Sequence, residues 1–319
     1  MGIDNPPQLP GPITPQGRLT LTTAVPVLIA AVTAATSVFY TPYNGSMVPI
    51  YNGANWTARS FAELTLAFTS NSGHTGYQHS GKNFDIFGYD SAGVLTLATG
   101  PAWTNDTTRA DALVLQNGVL VNNASIVLRF GSAVGNTATV AAKTATYLGT
   151  MRASANGQTE FSFGRAASAG GTEDKWYLWN AYNRCLFATT VKDSTDSWAY
   201  ATATWRATQG ANTVRVSMVR GLDEEPISAE YACASIPGAT GSVYVGAALD
   251  ATNAFNGRSG AIGTLTIAGS TVGGFDQVPG LGYHYVQAVE NGGGAATGTF
   301  YGDNGALLVQ NGLTVRGWA

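Results

Sequence analysis

Residues 17–56 open with GRLTLTTAVPV and close with FYTPYNGSMVPIYNGANW, and this stretch decides the fold class. Val48 and Ile50 alternate with their neighbours as in a half-buried strand. The dipeptides Asn44-Gly45 and Asn52-Gly53 favour tight turns on either side of that strand. The stretch therefore predicts short antiparallel strands joined by turns.

The same pattern continues along the chain. Period-two runs rich in Val, Thr, Tyr and Phe predict strands at 17–22, 37–43, 47–51, 61–68, 83–89, 93–98, 126–130, 145–152, 186–191, 213–220, 228–235, 242–249, 261–267, 283–289, 297–301 and 313–318. Turn dipeptides separate these runs, among them Asn-Gly at 117–118 and 311–312. We therefore predict an all-β protein, an antiparallel β-sandwich or jelly-roll-like body with less than about 15% helix.

Two short segments also fit a helix. The better one is DTTRADALVLQNG at 106–118, where Asp106 has the properties of an N-cap and Gly118 those of a helix stop. The other is DKWYLWNAYNR at 174–184, which fits a strand equally well.

The N-terminal sixteen residues contain five prolines, which exclude both a helix and an inner strand. Residues 1–16 are either a flexible terminus or an extended arm that lies on a neighbouring subunit or on a larger assembly, and in the second case Ile3, Leu9 and Ile13 are its apolar anchors. Residues 17–160 and 161–319 then form two β-rich regions. They make either one continuous body or two packed lobes that meet near 150–175.

The composition indicates a protein whose surface is covered by other subunits. Charged residues make up 11% of the chain and 40 of its 319 residues are Gly, against typical values of about 25% and about 7%. So neutral a surface predicts a homo-oligomer, and we expect a trimer. The net charge is −3 and the 16 basic residues are scattered, which argues against a nucleic-acid partner.

The sequence also argues against membrane insertion. Residues 24–39 are strongly apolar, but the run contains Pro26 and several threonines. It is shorter than the roughly 20 residues that a spanning helix needs. The N-terminus has neither the basic nor the apolar region of a secretory signal. We expect one or two buried strands, or a strand and a short helix, in this run.

No catalytic or cofactor motif is present, and we predict that the protein is not an enzyme and binds no cofactor or metal. The acids Asp223-Glu224-Glu225 precede a proline and are typical of a solvated turn. Cys185 and Cys233 lack metal-site spacing and fit two small buried thiols better than a disulfide. Asp250 with Asn253, or Asp303 with Asn304, offers oxygens for calcium, but such residues are far commoner in ordinary turns.

Aromatic side chains are concentrated in one part of the chain. Trp176, Trp179, Trp198 and Trp205 lie within thirty residues of one another, with Arg206 beside the last. Exposed aromatics make platforms for a glycan or a partner protein. The same rings also fill cores between sheets, with arginine stems along their edges. Both interpretations stay open at this point.

As a string, the sequence resembles a family of tailed-bacteriophage virion proteins, usually described as tail-fibre or uncharacterised structural proteins. The opening stretch carries this resemblance together with FDIFGYDSAGVLTLATGPAWTNDTTRADAL (84–113), TYLGTMRASANGQTE (146–160), KWYLWNAYNR (175–184), DSWAYATATWR (196–206) and GYHYVQAVENGGGAATGTFYGDN (282–304).

The resemblance implies a non-enzymatic structural protein of a virion assembled in the bacterial cytoplasm. The leading expectation is a tail-fibre or spike component that attaches to the host, with itself, other virion proteins and a host-surface glycan as partners. The alternative is a head-decoration, head-fibre or collar protein that stabilises the particle. A polysaccharide-binding or depolymerising tail protein is the third possibility.

Overall fold

The computed structural model describes residues 13–238, 241–263, 268–305 and 309–319, and these residues form a protein built almost entirely of β-strands. Among them there is no α-helix, only a 3₁₀ turn at Thr208–Gly210. The strands are β1 Gly17–Thr20, β2 Val32–Ala35, β3 Ser37–Pro42, β4 Met47–Tyr51, β5 Trp56–Ser60, β6 Leu64–Ala67, β7 Asn83–Ser91, β8 Val94–Ala102, β9 Leu113–Gln116, β10 Val119–Asn122, β11 Ile126–Arg129, β12 Thr137–Val140, β13 Ala145–Arg152, β14 Thr159–Phe161, β15 Asp174–Trp176, β16 Leu178–Asn180, β17 Leu186–Val191, β18 Ser197–Tyr200, β19 Trp205–Ala207, β20 Arg215–Arg220, β21 Ile227–Ile236, β22 Val243–Leu249, β23 Gly260–Ile262, β24 Gly269–Gln277, β25 Gly282–Asn291, β26 Gly298–Tyr301 and β27 Gly312–Trp318.

The opening stretch has the predicted structure. Val48 and Ile50 are buried in β4, which pairs with β5 so that Tyr51 lies opposite Trp56. The Asn52 side chain holds the turn between them, since its Oδ1 accepts the N–H groups of Ala54 at 2.9 Å and Asn55 at 2.8 Å. The predicted all-β, antiparallel class is confirmed.

The helix predicted at 106–118 is wrong. Residues 113–116 form β9, which pairs with β10 across a two-residue turn at Asn117 and Gly118. Both turn residues have positive φ, 50° and 86°, which suits a tight hairpin and not the end of a helix. Asp106 does not cap a helix, because its carboxylate pairs with Arg152 at 2.8 Å. The second candidate segment forms β15 and β16.

The apolar run at 24–39 contains β2 and the first part of β3, but it is only partly buried. Val38 is fully buried, whereas Ile29 is 87% exposed. Within the described ranges, no helix has the length and apolar character needed to cross a bilayer.

The chain forms two compact units. The first contains the described residues up to Leu28, with Ala34–Thr159 and Leu178–Arg184. The second contains Ile29–Thr33, Glu160–Tyr177 and the chain from Cys185 onward. The chain therefore passes from the first unit to the second near residue 160. Leu178–Arg184 belongs to the first unit again.

The first unit contains one large and two small sheets. The large sheet has the order β12-β11-β8-β7-β13-β10-β9, with β16 paired to β13, and the small sheets are β1-β3-β6 and β4-β5. The Asn180 side chain fastens β1 to this unit, since its Oδ1 accepts the Leu19 N–H at 2.7 Å and its Nδ2 donates to the Leu19 carbonyl at 3.2 Å. The fully buried apolar side chains of the first unit include Leu19, Val38, Tyr40, Val48, Leu66, Phe84, Ile86, Val119, Val121, Tyr147 and Trp179.

The second unit is a sandwich of two sheets. One has the order β2-β14-β15-β20-β25-β22-β23, with β19 also paired to β25. The other has the order β17-β27-β21-β26-β18, with β24 also paired to β21. Buried side chains between them include Val216, Met218, Ala229, Tyr231, Val245, Val286, Val289, Phe300, Leu313 and Val315.

The two sheets of the sandwich approach each other closely at Gly273 in β24. A Cβ placed there would lie 2.5 Å from the carbonyl oxygen of Val245, which belongs to β22 in the other sheet. Because any side chain would collide with that backbone, glycine is required for the observed approach.

Candidate binding surface

The four tryptophans of the predicted aromatic surface do not form one surface. Trp176 is 2% exposed and stacks on Phe161 at 6.2 Å, and Trp179 is 1% exposed. The surface prediction is therefore wrong for these two, because β15 and β16 direct them into the cores of different units. Trp198 and Trp205 are partly exposed, and both belong to the second unit.

A short connection between the two sheets of the sandwich places Trp198 and Trp205. β18 forms an edge of the six-stranded sheet, where Trp198 pairs with Phe300 and stacks on it at 6.4 Å. The chain then crosses over and forms β19, which pairs with β25 in the other sheet. The Tyr200 hydroxyl stabilises the crossing through hydrogen bonds to the carbonyl of Thr204 at 3.0 Å and to its Oγ1 at 2.8 Å.

The Glu290 carboxylate, fully buried in β25, connects both ends of this segment. Its Oε2 accepts the Trp198 indole N–H at 2.7 Å. Its Oε1 accepts the Arg206 Nε–H at 2.8 Å and lies 2.7 Å from Nη2. The Arg206 guanidinium also lies over the Tyr200 ring, 3.7 Å from its centroid. Four side chains from three strands thus hold the crossing in one conformation.

Burial determines the protonation behaviour of Glu290. Loss of water raises the pKa of its carboxyl, and the Trp198 indole and the Arg206 guanidinium oppose that rise without cancelling it. We name the set Trp198, Arg206 and Glu290 the sheet clasp.

The outer face beside the sheet clasp carries an aromatic patch, formed by Trp205, Phe255 and Tyr244. Trp205 and Phe255 are in ring contact at 4.8 Å, and Phe255 is 38% exposed. β19 and β22 flank β25, and Trp205 of β19 and Tyr244 of β22 both pair with Asn291 of β25. A Cβ at Gly246 would lie 2.9 Å from the Cβ of Phe255, so glycine at this position leaves room for the Phe255 ring. Partly exposed rings on a fixed backbone are suited to binding a flat apolar surface, such as a sugar face.

Of the predicted arm anchors, Ile3 and Leu9 lie outside the described residues, and Ile13 is 38% exposed. The last two residues of the predicted arm are fastened to the first unit. The Gln16 N–H donates to the Met47 carbonyl at 3.0 Å, and its Oε1 accepts the Met47 N–H at 3.1 Å. The Pro15 carbonyl accepts a hydrogen bond from Asn183 at 3.0 Å. The described part of the predicted arm is therefore attached to the first unit at Pro15 and Gln16.

The other sequence candidates have local structural roles. Asp250 accepts the Tyr285 N–H at 2.9 Å and contacts His284 at 2.7 Å, and Asp303 caps its own turn through the Gly305 N–H. Asp223 is exposed in its turn. Across the described ranges, no three His, Cys, Asp or Glu side chains are close enough to hold a metal ion.

Cys185 and Cys233 are not joined by a disulfide. Cys233 is buried, and burial raises the pKa of its thiol to about 12. It therefore stays protonated and unreactive at neutral pH. Cys185 is half-buried.

A second buried polar cluster lies in the first unit. Asp85 accepts hydrogen bonds from Arg109 Nε at 2.7 Å and from the Thr150 hydroxyl at 2.6 Å, while the Arg109 guanidinium lies 4.6 Å from the Trp103 ring. Burial raises the pKa of Asp85, and Arg109 opposes this shift. The cluster fastens the segment between β8 and β9 to the large sheet.

Comparison with known proteins gives no assignment. No protein-family model matches the sequence. Comparison with curated proteins likewise gives no match. Among solved structures, the chain is weakly similar to a Bacillus thuringiensis Cry1Da tryptic core variant, with 8% identity and a TM-score of 0.20. The match covers 88% of this chain and 48% of that one, so the chain spans about half the length of that protein.

The sequence pointed to Trp198 and Trp205 but not to Tyr244, Phe255 or the buried Glu290. Arg206 attracted attention through its position beside Trp205. Glu290 did not, because an acid directly after the predicted strand 283–289 and before a turn has no local signature of burial. Phe255 lies in a loop and only the pairing of β22 with β25 brings it near Trp205.

Proposed function

We propose that this chain is a structural protein of a tailed-bacteriophage particle, carried on a tail fibre or spike. In this proposal it acts by binding and not by catalysis. The resemblance of its motifs to phage virion proteins and its low content of charged residues support this role. An all-β sandwich is also a suitable body for a protein that presents a rigid surface.

The main support for a binding role is the aromatic patch of Trp205, Phe255 and Tyr244. The sheet clasp holds its backbone from the opposite face, where Glu290 is buried. Binding to such a patch loses little conformational entropy, because the rings are already ordered. Many copies on one particle then add weak contacts into a strong attachment through multivalency.

The proposal is tested on intact particles. We expect immunogold labelling at the tail and a few copies per particle by quantitative mass spectrometry. Labelling over the head with hundreds of copies would favour the alternative role in head decoration. Absence of the chain from purified particles would refute both.

A truncated chain tests attachment by the N-terminus. Residues 1–14 are removed and Pro15 and Gln16 are kept, because these two contact the body. We expect the truncated protein to fold, by circular dichroism, but not to enter particles. Incorporation at the normal copy number would place the attachment elsewhere.

A further inference from the structure

A polar groove in the second unit is separate from the aromatic patch. Its volume is about 390 Å³, and it is lined by Gly164, Arg165, Ala188, Thr189, Thr190, Lys192, Thr314 and Arg316. β17 and β27 supply most of these residues, Lys192 follows β17, and Gly164 and Arg165 lie in the segment after β14. We infer that this groove binds a saccharide that carries a carboxylate or phosphate group.

Three cationic side chains meet in the groove from separate parts of the chain. Arg165 follows β14, Lys192 follows β17 and Arg316 lies in β27. The whole protein has only 16 basic residues and a net charge of −3. Three cations therefore line one small groove, and the acids paired with two of them determine how much of this charge can attract an anion.

Nearby acids leave part of this charge available. Arg165 lies 3.3 Å from both Glu160 and Asp174, and these pairs hold its guanidinium in place. Arg316 lies 3.9 Å from Glu230, and both side chains are 47% exposed. An exposed pair at this distance is weak. Lys192 is exposed and has no ion pair with any described residue of the chain.

Threonine hydroxyls lie between the cations. The Thr190 and Thr314 hydroxyls form a cross-strand hydrogen bond of 2.9 Å. The Thr189 hydroxyl accepts the Gly164 N–H at 2.9 Å and donates to Asp174, so the edge of the groove is ordered. A hydroxyl accepts and donates hydrogen bonds, which suits the hydroxyl groups of a sugar ring.

An exposed aromatic ring continues the same sheet face. Positions two apart along a strand share a face, so Trp318 lies on the face of Arg316 and Thr314. Trp318 is 42% exposed and pairs across the strands with Leu186, which is 58% exposed. A ring beside cations and hydroxyls favours an acidic sugar over a bare anion, because it offers a stacking surface for the sugar face.

The size of the groove also argues for a small ligand. Its volume falls within the roughly 300–1,000 Å³ typical of small-molecule sites. The scattered placement of the remaining basic residues gives no extended track for a nucleic-acid backbone. The groove has this chemistry wherever the chain is located in a particle, so its ligand can be tested independently of the virion role.

Calorimetry on the purified full-length protein tests the inference at low ionic strength. Trigalacturonate is compared with the neutral trisaccharide maltotriose, and glucose 6-phosphate with glucose. We expect at least one acidic sugar to bind about tenfold more tightly than its neutral partner, and this preference to decrease as salt is added. Equal binding of acidic and neutral sugars would overturn the inference.

Variants locate the binding site. We expect Lys192→Gln and Arg316→Gln each to weaken binding of the acidic sugar about fivefold to tenfold, because each removes a charge-assisted contact. Arg258→Gln is the matched control, since Arg258 is an exposed cation of the same unit outside the groove. Loss of binding in this control, or normal binding in both groove variants, would refute the assignment.

Two further probes separate a saccharide site from a general anion site. Hexaglutamate and inorganic phosphate carry negative charge without a sugar ring. We expect both to bind more weakly than the acidic sugar, and Trp318→Ala to weaken only the sugar. If either probe matches the sugar in affinity, the groove recognises charge alone and the saccharide assignment is wrong.

Discussion

At the scale of single residues, Glu290 is the group on which the candidate surface depends. It is fully buried, and its two oxygens accept hydrogen bonds from Trp198 and Arg206. A buried carboxylate is costly unless its oxygens are paired. The loss of either donor should therefore lower the free energy of unfolding, because the charge of Glu290 would be less well paired.

We predict that Trp198→Phe destabilises the protein by about 2 kcal/mol at pH 7, because it removes a hydrogen bond to a buried charge. The Trp198 indole lowers the pKa of Glu290, so its removal raises that pKa further above the unfolded value. The destabilisation should be greatest where Glu290 is ionised and should shrink as the pH falls through the pKa of Glu290 in the folded protein. Urea unfolding between pH 4 and pH 8 measures this.

Trp205→Phe is the matched control, because the Trp205 indole forms no hydrogen bond with the described part of the chain. It also shortens an aromatic side chain at the same crossing, and we expect a small loss that does not vary with pH. An equal pH dependence in both variants would contradict the role assigned to the Trp198 indole.

At the scale of elements, two hairpins of the large sheet in the first unit have the same turn with different residues. β9 and β10 turn through Asn117 and Gly118, with φ of 50° and 86°. β7 and β8 turn through Ala92 and Gly93, with φ of 50° and 91°. Asparagine tolerates positive φ, whereas alanine is strained there.

We therefore predict that Ala92→Asn stabilises the protein by about 0.5–1 kcal/mol. Ala92 is exposed, so the larger side chain has room. The control is Ala58→Asn, at an exposed position of β5 with ordinary strand conformation, where asparagine is unfavourable. A rise in melting temperature for the first variant alone is the expected result, and no rise, or the same rise in both, would count against the argument.

The sequence predicted several of the longer strands, such as β13, β21 and β25, because their period-two runs are long, but it missed short strands such as β12 and β18. It did not predict β24, whose sequence contains Gly273-Gly274 and therefore resembles a turn. Gly273 is needed for contact with the facing sheet, which only the tertiary structure shows. It also grouped Trp176 and Trp179 with Trp198 and Trp205, because closeness in sequence cannot show that β15 and β16 belong to different sheets. The cationic groove was missed for the same reason, since Arg165 and Arg316 are far apart along the chain.

At the scale of the whole molecule, the low content of charged residues makes self-association the natural expectation. Several large apolar side chains are exposed in different strands, including Val94, Leu115, Val127, Leu186 and Val272. We propose that the protein is a trimer, and each contact between copies should bury more than about 1,000 Å². Native mass spectrometry at micromolar concentration should show three copies, and a stable monomer would contradict this.

The return of Leu178–Arg184 to the first unit has a consequence for how the protein is made. β16 completes the large sheet of that unit, and it includes the buried Trp179. A ribosome releases the chain from its N-terminus, so Glu160–Tyr177, which belongs to the second unit, emerges before the first unit has its last strand. Neither unit is a continuous stretch of the chain, and a chain that stopped near residue 160 would lack β16 and Trp179 and would leave the first unit with an open core. Synthesis must therefore continue past Arg184 before either half of the molecule can become a finished, independent body.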